Sequence, residues 1–474
     1  MQTRDFIYLT VNGQLQKISG QHVFLPITDY LRYELGLTGT KVVCAEGDCG
    51  ACTIMLRRCQ QTSESFKSIN SCISASMLLD GCHLITIEGL ANSGELSEVQ
   101  QSMVRNFGAQ CGFCTPGFVM SITNMYEQSP DNISDQKIKN YLTGNLCRCT
   151  GYYPIINAAR DVDRKNLKPL NESIDQSTLD RELLKEVSRP VLIRWNKMEF
   201  FAPVNLQQAV EYKISHPDVR IFSGATDLGV QFNKGKKLGH SFMSLHLLEE
   251  LYELVENDEW IQVGARVNIG QLQKFLENRS PDFSNFLNIF ASPQIKNVAT
   301  LVGNVANGSP IADTIPYLLT TDAKVILFGS SGNREVLLEN FITGYKTFDI
   351  KPDEIITHIY FKILPKKAKV GLYKISQRRD LDISCVNSSF VVETDGEKIK
   401  KARFAIGGVG PTTLRLKQAE KKMEGNILSA QLIEDTKKII LSDIFPISDS
   451  RGTQLYRSHI CLDLFSKFVK EHFQ

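Results

Sequence analysis

Apolar and polar positions alternate at the start of the chain. Residues 5–11 (DFIYLTV) read as a strand, Asn12-Gly13 is a hairpin turn signal, and the stretch from Leu15 to Ile18 supplies the return strand. From Pro26 (PITDYLRYEL) the apolar residues fall at helical spacing, and the pattern stops at Gly36. Glycine-containing loops then separate short strands at 52–56 and 84–87, which predicts a small α+β domain over residues 1–90. At Ser97 the period changes. Ser97 and Gln100 have capping-box spacing before a helix that ends near Gly108. Pro116 opens a second helix to about Tyr126, residues 134–143 form a third that ends at Gly144, and residues 154–162 form a fourth with proline at its entry. A helical bundle of four members is predicted over 91–162.

The stretch 163–189 (DRKNLKPLNESIDQSTLDRELLKEVSR) is polar and charged and reads as a linker. Beyond Pro190, strands at 221–222, 261–263 and 324–328 mix with helices at 206–215 and 269–278. One domain is expected over 190–367 and a further α+β domain over 368–474. No repeat and no low-complexity tract interrupts the chain.

Length and charge change this picture little. The 474 residues suit two to four domains, and 42% hydrophobic with 22% charged residues is an ordinary globular balance. A net charge of +2 gives no argument for nucleic acid as a partner. No apolar run approaches membrane-spanning length, and the first residues show no basic stretch followed by an apolar one. A cytoplasmic protein without membrane contact is expected.

The twelve cysteines change it most. In a reducing compartment they are poor candidates for disulfides, and eight stand in tight spacings before residue 150. Cys44, Cys49 and Cys52 (CAEGDCGAC) with Cys72 give C-x4-C-x2-C…C, the plant-type [2Fe–2S] pattern. One loop must bring three thiolates onto a compact rhomb, so Gly47 and Gly50 are expected to take positive φ and turn N–H groups towards sulfur. Zinc, the alternative, favours paired C-x2-C knuckles. Cys111 and Cys114 (QCGFCTPG) and Cys147 and Cys149 (LCRCTGY) precede two proline-initiated helices, where N–H groups favour thiolates. For this set spacing alone leaves a cluster, a zinc knuckle and a redox dithiol open. Cys59, Cys82, Cys385 and Cys461 read as buried free thiols.

QCGFCTPG and NLCRCTGY resemble the helical iron–sulfur domain of the xanthine oxidase family of molybdenum hydroxylases, and EGDCGACT resembles its ferredoxin-like domain. The resemblance covers residues 1 to about 160. It implies two [2Fe–2S] clusters, one in a plant-type ferredoxin-like β-grasp domain and one in a four-helix bundle. It also places Gln110, otherwise a routine polar residue, against the pterin of a molybdenum cofactor.

No G-x-G-x-x-G follows a strand and opens a helix, so a Rossmann site has no support. Two small-residue segments stand out instead, IFSGATDLGV (221–230) and FASPQIKNVATLVGNVANGSPIADTIP (290–316). Taken alone, each could be a nucleotide-binding turn or an ordinary glycine-rich one. Both resemble the FAD-binding domain shared by xanthine dehydrogenases and carbon monoxide dehydrogenase flavoproteins. That resemblance implies pyrophosphate contacts at Ile221, Phe222, Ser223, Gly224, Ala225, Thr226, Asp227 and Leu228. It implies further FAD contacts at Phe290, Thr300, Asn304 and Asp313, at Ile359, and at Lys374 of KISQRR. AIGGVGPT (405–412) resembles the same flavoproteins' C-terminal α+β domain. Asp227 stands where the family commonly has glutamate, and the diarginine is followed by Asp380-Leu381-Asp382.

The resemblance therefore implies an electron-transfer subunit with two clusters and FAD. Its expected partners are a large molybdenum-cofactor subunit, for which 474 residues leave no room here, in an α2β2 heterotetramer, and NAD+. Residues that hydroxylate substrate are expected on that partner. Xanthine or hypoxanthine is the implied substrate, with an aldehyde or another N-heterocycle as the alternative. A stand-alone NAD(P)H:acceptor flavoprotein is a further reading, and a zinc-bearing interaction protein is a third.

Overall fold

The structure, a computed structural model, describes residues 3–61, 64–91, 94–129, 133–173 and 176–474. The chain divides into two compact units, residues 1–249 with 292–299, and residues 250–291 with 300–474.

The first unit opens with the expected hairpin. Strands β1 (Ile7–Val11) and β2 (Gln14–Ile18) pair antiparallel, and Asn12 and Gly13 take φ of 50° and 79°, as a two-residue turn matched to strand twist requires. With β3 (Thr53–Arg58), β4 (Lys67–Asn70) and β5 (Cys82–Ile85) they form a sheet in the order β2-β1-β5-β3-β4. The β1–β5 pair is parallel. The apolar run after Pro26 forms one α-helical turn, Ile27–Asp29, continued by a wider turn over Tyr30–Glu34 and closed near Gly36 at φ 68°.

Four helices follow: Glu98–Arg105, Thr115–Gln128, Asp135–Leu142 and Tyr153–Arg160. Ser97 and Gln100 form the capping box, and the second and fourth helices have proline in their first turn. Val99, Met103, Phe118, Ile122, Ile138 and Ile155 share one core with Met55, Phe66 and Ile85 of the sheet domain.

The stretch expected as a linker is structured. Residues Gln176–Val187 are helical, and Leu183 and Val187, four positions apart, are buried in the same core as Ile7 and Leu9. Asp180 of this helix accepts hydrogen bonds from Arg57 at 2.9 and 3.0 Å and lies 2.7 Å from His83. Few apolar residues anchor an otherwise charged helix, so its composition reads as loop. Residues 174 and 175 of that stretch lie outside the described residues.

A second sheet of the first unit joins β6 (Val191–Trp195), β7 (Met198–Ala202), β8 (Arg220–Phe222) and β9 (Ser241–Ser244) in the order β6-β7-β9-β8. Val191, Ile193, Phe200, Phe222 and Phe242 belong to the core that holds Ile7 and Leu9. Burial therefore groups the first strands of the expected 190–367 domain, and residues 292–299, with the first unit.

In the second unit β10 (Leu254–Asn257), β11 (Trp260–Gly264), β12 (Lys324–Gly329) and β13 (Gly332–Leu337) form a sheet with β16 (Ile355–Lys362). Its order is β10-β11-β16-β12-β13, and β14 (Ile342–Gly344) pairs separately with β15 (Thr347–Phe348). Strands β17 (Lys369–Ile375), β18 (Val386–Asp395), β19 (Lys398–Gly407) and β20 (Leu414–Arg415) make a four-stranded antiparallel sheet. Phe390 and Phe404 of that sheet pack with Phe465 and Phe468 of the helix Gln454–Phe473. No helix among the described residues is long and apolar enough to cross a membrane.

Candidate redox-cofactor sites

Cys44, Cys49 and Cys52 lie on the loop entering β3, and Cys72 lies in the turn after β4. Cys52 and Cys72 bring their sulfurs to 3.2 Å, while Cys44 is hydrogen-bonded to Cys49. The Glu46 N–H donates to the Cys44 sulfur at 3.4 Å, and Asn70 Nδ2 donates to the Cys52 sulfur at 3.6 Å. Gly47 and Gly50 take φ of 76° and 68°, so the loop wraps as the spacing requires. A Cβ at Gly50 would also lie 2.3 Å from the Gly144 carbonyl, which fixes this loop against the helical domain. Cys49, Cys52 and Cys72 are buried.

The second quartet is built at two helix entrances. Cys114 precedes the helix Thr115–Gln128, and Cys147 and Cys149 precede Tyr153–Arg160. Cys111 and Cys149 approach to 3.5 Å, and Cys114 is hydrogen-bonded to Cys147. The Thr150 hydroxyl and N–H lie 3.1 and 3.5 Å from the Cys147 sulfur. Cys111 and Cys149 are exposed, as is Gln110 beside them.

The sulfurs thus come in four pairs, and each pair splits in acidity. Hydrogen bonding to Cys49 holds Cys44 down to about 5 and pushes Cys49 up. The Cys72 hydrogen bond, against burial, holds Cys52 below the usual thiol range and raises Cys72. The Phe113 N–H and Cys149 lower Cys111, while Cys111 raises Cys149. Burial opposes ionisation at Cys147, but hydrogen bonds from Thr150, Cys149 and Cys114 together outweigh it, whereas burial and Cys147 push Cys114 up to about 12. By contrast, burial raises Cys59, Cys385 and Cys461. Thiols presented two and two fit a binuclear cluster with two thiolates per iron. Among the described residues no three His, Cys, Asp or Glu side chains converge to hold a single ion.

The flavin candidates divide between the units. In the first, β8 passes through Ser223 and Gly224 into a left-handed Ala225 (φ 56°), which opens the helix Thr226–Asn233. Ala225 makes no side-chain cap bond to this helix, and a helix N-terminus is a position that favours anions. Phe222 is buried and stacked on Phe242, so it can serve that turn only through its backbone. Asp227, exposed, accepts from Gln231 at 2.5 Å.

In the second unit Lys374 and Asp313 form a buried ion pair of 2.7 Å. Lys374 Nζ also lies 3.4 Å from the Phe290 carbonyl. Asp313 accepts from Ser384 at 2.5 Å and from Asn387 at 2.8 Å, two residues that the sequence did not single out. Asn304 accepts from Thr314 at 2.6 Å, and Thr300 caps the helix Leu301–Ala306 through its hydroxyl. Ile359 is fully buried in β16, where it opposes Val263 and Val325, so its side chain belongs to the core.

Residues 86–160 match the family model described as a [2Fe-2S] binding domain, and residues 196–365 match the FAD binding domain in molybdopterin dehydrogenase. Residues 371–472 match the CO dehydrogenase flavoprotein C-terminal domain. The chain belongs to the molybdenum hydroxylase family. It carries that family's [2Fe–2S] and FAD domains. It is 30% identical to xanthine dehydrogenase 1 of Arabidopsis thaliana over 97% of this chain and 39% of that one. It is 29% identical to the xanthine dehydrogenase of Emericella nidulans over 98% of this chain and 38% of that one. The chain thus spans about two fifths of the length of these relatives. Its fold is similar to a chain of carbon monoxide dehydrogenase from Hydrogenophaga pseudoflava, with TM-score 0.56 and 20% identity over 59% of this chain and 98% of that one.

The resemblance expects Lys374 and Asp313 at the flavin, and the structure joins them in a buried ion pair within the second unit. Asp313→Ala removes the acceptor shared by Lys374, Ser384 and Asn387. It is expected to weaken FAD retention by about 2 kcal/mol, roughly thirtyfold in affinity. The measurement is the FAD-to-protein ratio after dilution and gel filtration. An unchanged ratio would remove this pair from the flavin site.

Proposed function

We propose that this chain is the electron-transfer subunit of a xanthine dehydrogenase, working with a molybdenum-cofactor-binding large subunit in a cytoplasmic α2β2 heterotetramer. It would carry electrons from a purine oxidised on that partner to NAD+. The observation that carries this reading is the presence, in one chain, of two paired cysteine quartets and an FAD-type domain. Almost the whole chain is matched by xanthine dehydrogenases. When bound, the clusters would supply one-electron carriers and FAD a two-electron store that can deliver hydride.

The chain's own residues divide the work. Cys44, Cys49, Cys52 and Cys72 would hold one cluster away from water, since three of the four are buried. Cys111, Cys114, Cys147 and Cys149 would hold the other at an open edge, where Cys111, Cys149 and Gln110 face solvent. Phe107 (83% exposed) and Tyr153 (70%) are apolar side chains of this domain left uncovered, which suits a protein partner that brings electrons to this edge. The Thr226–Leu228 turn would bind the pyrophosphate, and Lys374 and Asp313 would orient the flavin. The diarginine region is itself ordered by an Arg378–Asp382 ion pair of 2.6 Å.

The test is to purify the chain with whatever subunit accompanies it and to measure iron, flavin, molybdenum and purine-dependent NADH formation. About four irons and one FAD per chain are expected, with molybdenum only in the accompanying subunit and purine turnover only in the complex. Zinc in place of iron, absence of flavin, or purine hydroxylation by the isolated chain would overturn the reading. Turnover of an aldehyde or another N-heterocycle but no purine would move the substrate and leave the wiring.

A further inference from the structure

One short helix of the first unit serves two sites. Thr226–Asn233 offers the flavin turn at its N-terminal end and meets the first cysteine quartet at its other end. Asn233 Nδ2 donates to the Cys72 carbonyl at 2.8 Å and to the Ala45 carbonyl at 2.9 Å. These acceptors belong to separate chain segments, one at Cys72 itself and the other directly after Cys44. Gly229, one turn earlier, approaches the same segment through its backbone. A Cβ there would lie 2.1 Å from the Ile73 carbonyl oxygen and 2.9 Å from the Ile73 carbonyl carbon. Only a residue without a side chain permits that approach. Ala225, Leu228 and Gly229 line one apolar cavity together with Cys72 and Ile73.

We propose that Asn233 is a positioning residue for electron exchange between the first cluster and the flavin. With Gly229 it fixes the backbone at Cys72 and Cys44 against the helix that carries the flavin turn. The proposal rests on the reading that this chain binds both groups. Each exchange moves one electron and makes or breaks no bond. Two exchanges, with two protons from solvent, account for complete reduction of the flavin. Eight helical residues span about 12 Å, so the helix holds its two ends at a fixed, short separation. A hydrogen bond to the carbonyl of a ligating cysteine also withdraws electron density from that ligand, so its loss bears on the electronic signature of the cluster.

The test compares the full chain, with any accompanying subunit, as wild type, Asn233→Ala, Asn233→Asp and Lys234→Ala. Asp keeps the size of Asn but cannot donate when ionised. Lys234→Ala breaks only the exposed ion pair to Glu46 (3.1 Å) at the same helix end. Iron and FAD per chain are read first, then the EPR spectrum of the reduced clusters, then the rate of flavin–cluster redistribution after a radiolytic electron pulse. Both Asn233 variants are expected to keep iron and FAD, to shift one cluster's EPR signal, and to slow redistribution by about tenfold or more. Lys234→Ala should match wild type. Wild-type rate and spectrum in both Asn233 variants would overturn this proposal alone, and so would loss of iron from both, which would make Asn233 merely structural. Absence of iron or flavin from the wild type would overturn the functional reading and this proposal with it.

Discussion

Cys52→Ala is expected to lower iron from about four to about two atoms per chain and to remove one of the two reduced-cluster EPR signals. Cys52 is chosen because it has the strongest local claim on a metal. Its sulfur lies 3.2 Å from Cys72, receives the Asn70 amide, and is buried. Asn70 holds Cys52 from the end of β4, directly before the turn that carries Cys72, so this pair is set by the pairing of β3 with β4. The helical quartet has its own anchors in Thr150 and the helix entrances, so its iron should remain. If the proposed function holds, electron delivery from purine to FAD should fall by orders of magnitude, while direct reduction of FAD by NADH should persist, because the residues proposed for flavin are untouched. Cys59→Ala is the control. Cys59 is equally buried, but burial raises its thiol and it belongs to none of the four pairs, so iron should not change. Full iron in Cys52→Ala, or equal loss in Cys59→Ala, would refute the assignment of the quartets.

The sequence was most legible where the signal is local. Asn12-Gly13 announces its turn because few other residues accept positive φ in succession, and Ser97 with Gln100 announces a helix start because both bonds of the capping box close within four residues. The cysteine quartets were legible for the same reason, since a cluster demands close spacing. Which sulfurs pair was not. Cys44 with Cys49 and Cys52 with Cys72, or Cys111 with Cys149 and Cys114 with Cys147, are decided by how separate loops pack. Long-range burial also hid the rest. Leu183 and Val187 turn an apparent linker into a packed helix, and Phe222 and Ile359 spend their side chains in cores. Ser384 and Asn387 reach Asp313 from more than seventy residues away, so no local pattern marks them.

Asp80→Ala is expected to cost about 3–5 kcal/mol in the stability of the first unit at neutral pH. Arg4 and Asp80 are both wholly buried. Arg4 reaches the carboxylate through Nη1 at 3.0 Å and Nη2 at 2.7 Å, and the Tyr8 N–H donates to it at 2.8 Å. Arg4 also donates to the Arg189 carbonyl at 3.2 Å, and His246 lies 3.6 Å from Asp80, so one ion pair joins the chain start, the turn before β5 and the segment around β9. Removing the carboxylate strands a buried guanidinium, which is far worse than removing both partners. Burial works against ionisation of Asp80, but His246 and Arg4 outweigh it and hold the carboxyl down to about 2, against an ordinary value near 3.9. Because the folded value is the lower one, the stabilising contribution is complete above about pH 4.5 and is lost as pH falls towards 2; it amounts to about 2 kcal/mol. Urea unfolding of both proteins between pH 7 and pH 3 reads this directly. The difference between wild type and variant should be constant from pH 7 to about pH 4.5 and narrow below it. A difference that widens on acidification would mean that protonated Asp80 is the form the fold prefers. The Arg4 pair would then be a cost borne by the first unit, and its stability would have to come from the apolar core shared by β1, β5 and the helix Gln176–Val187.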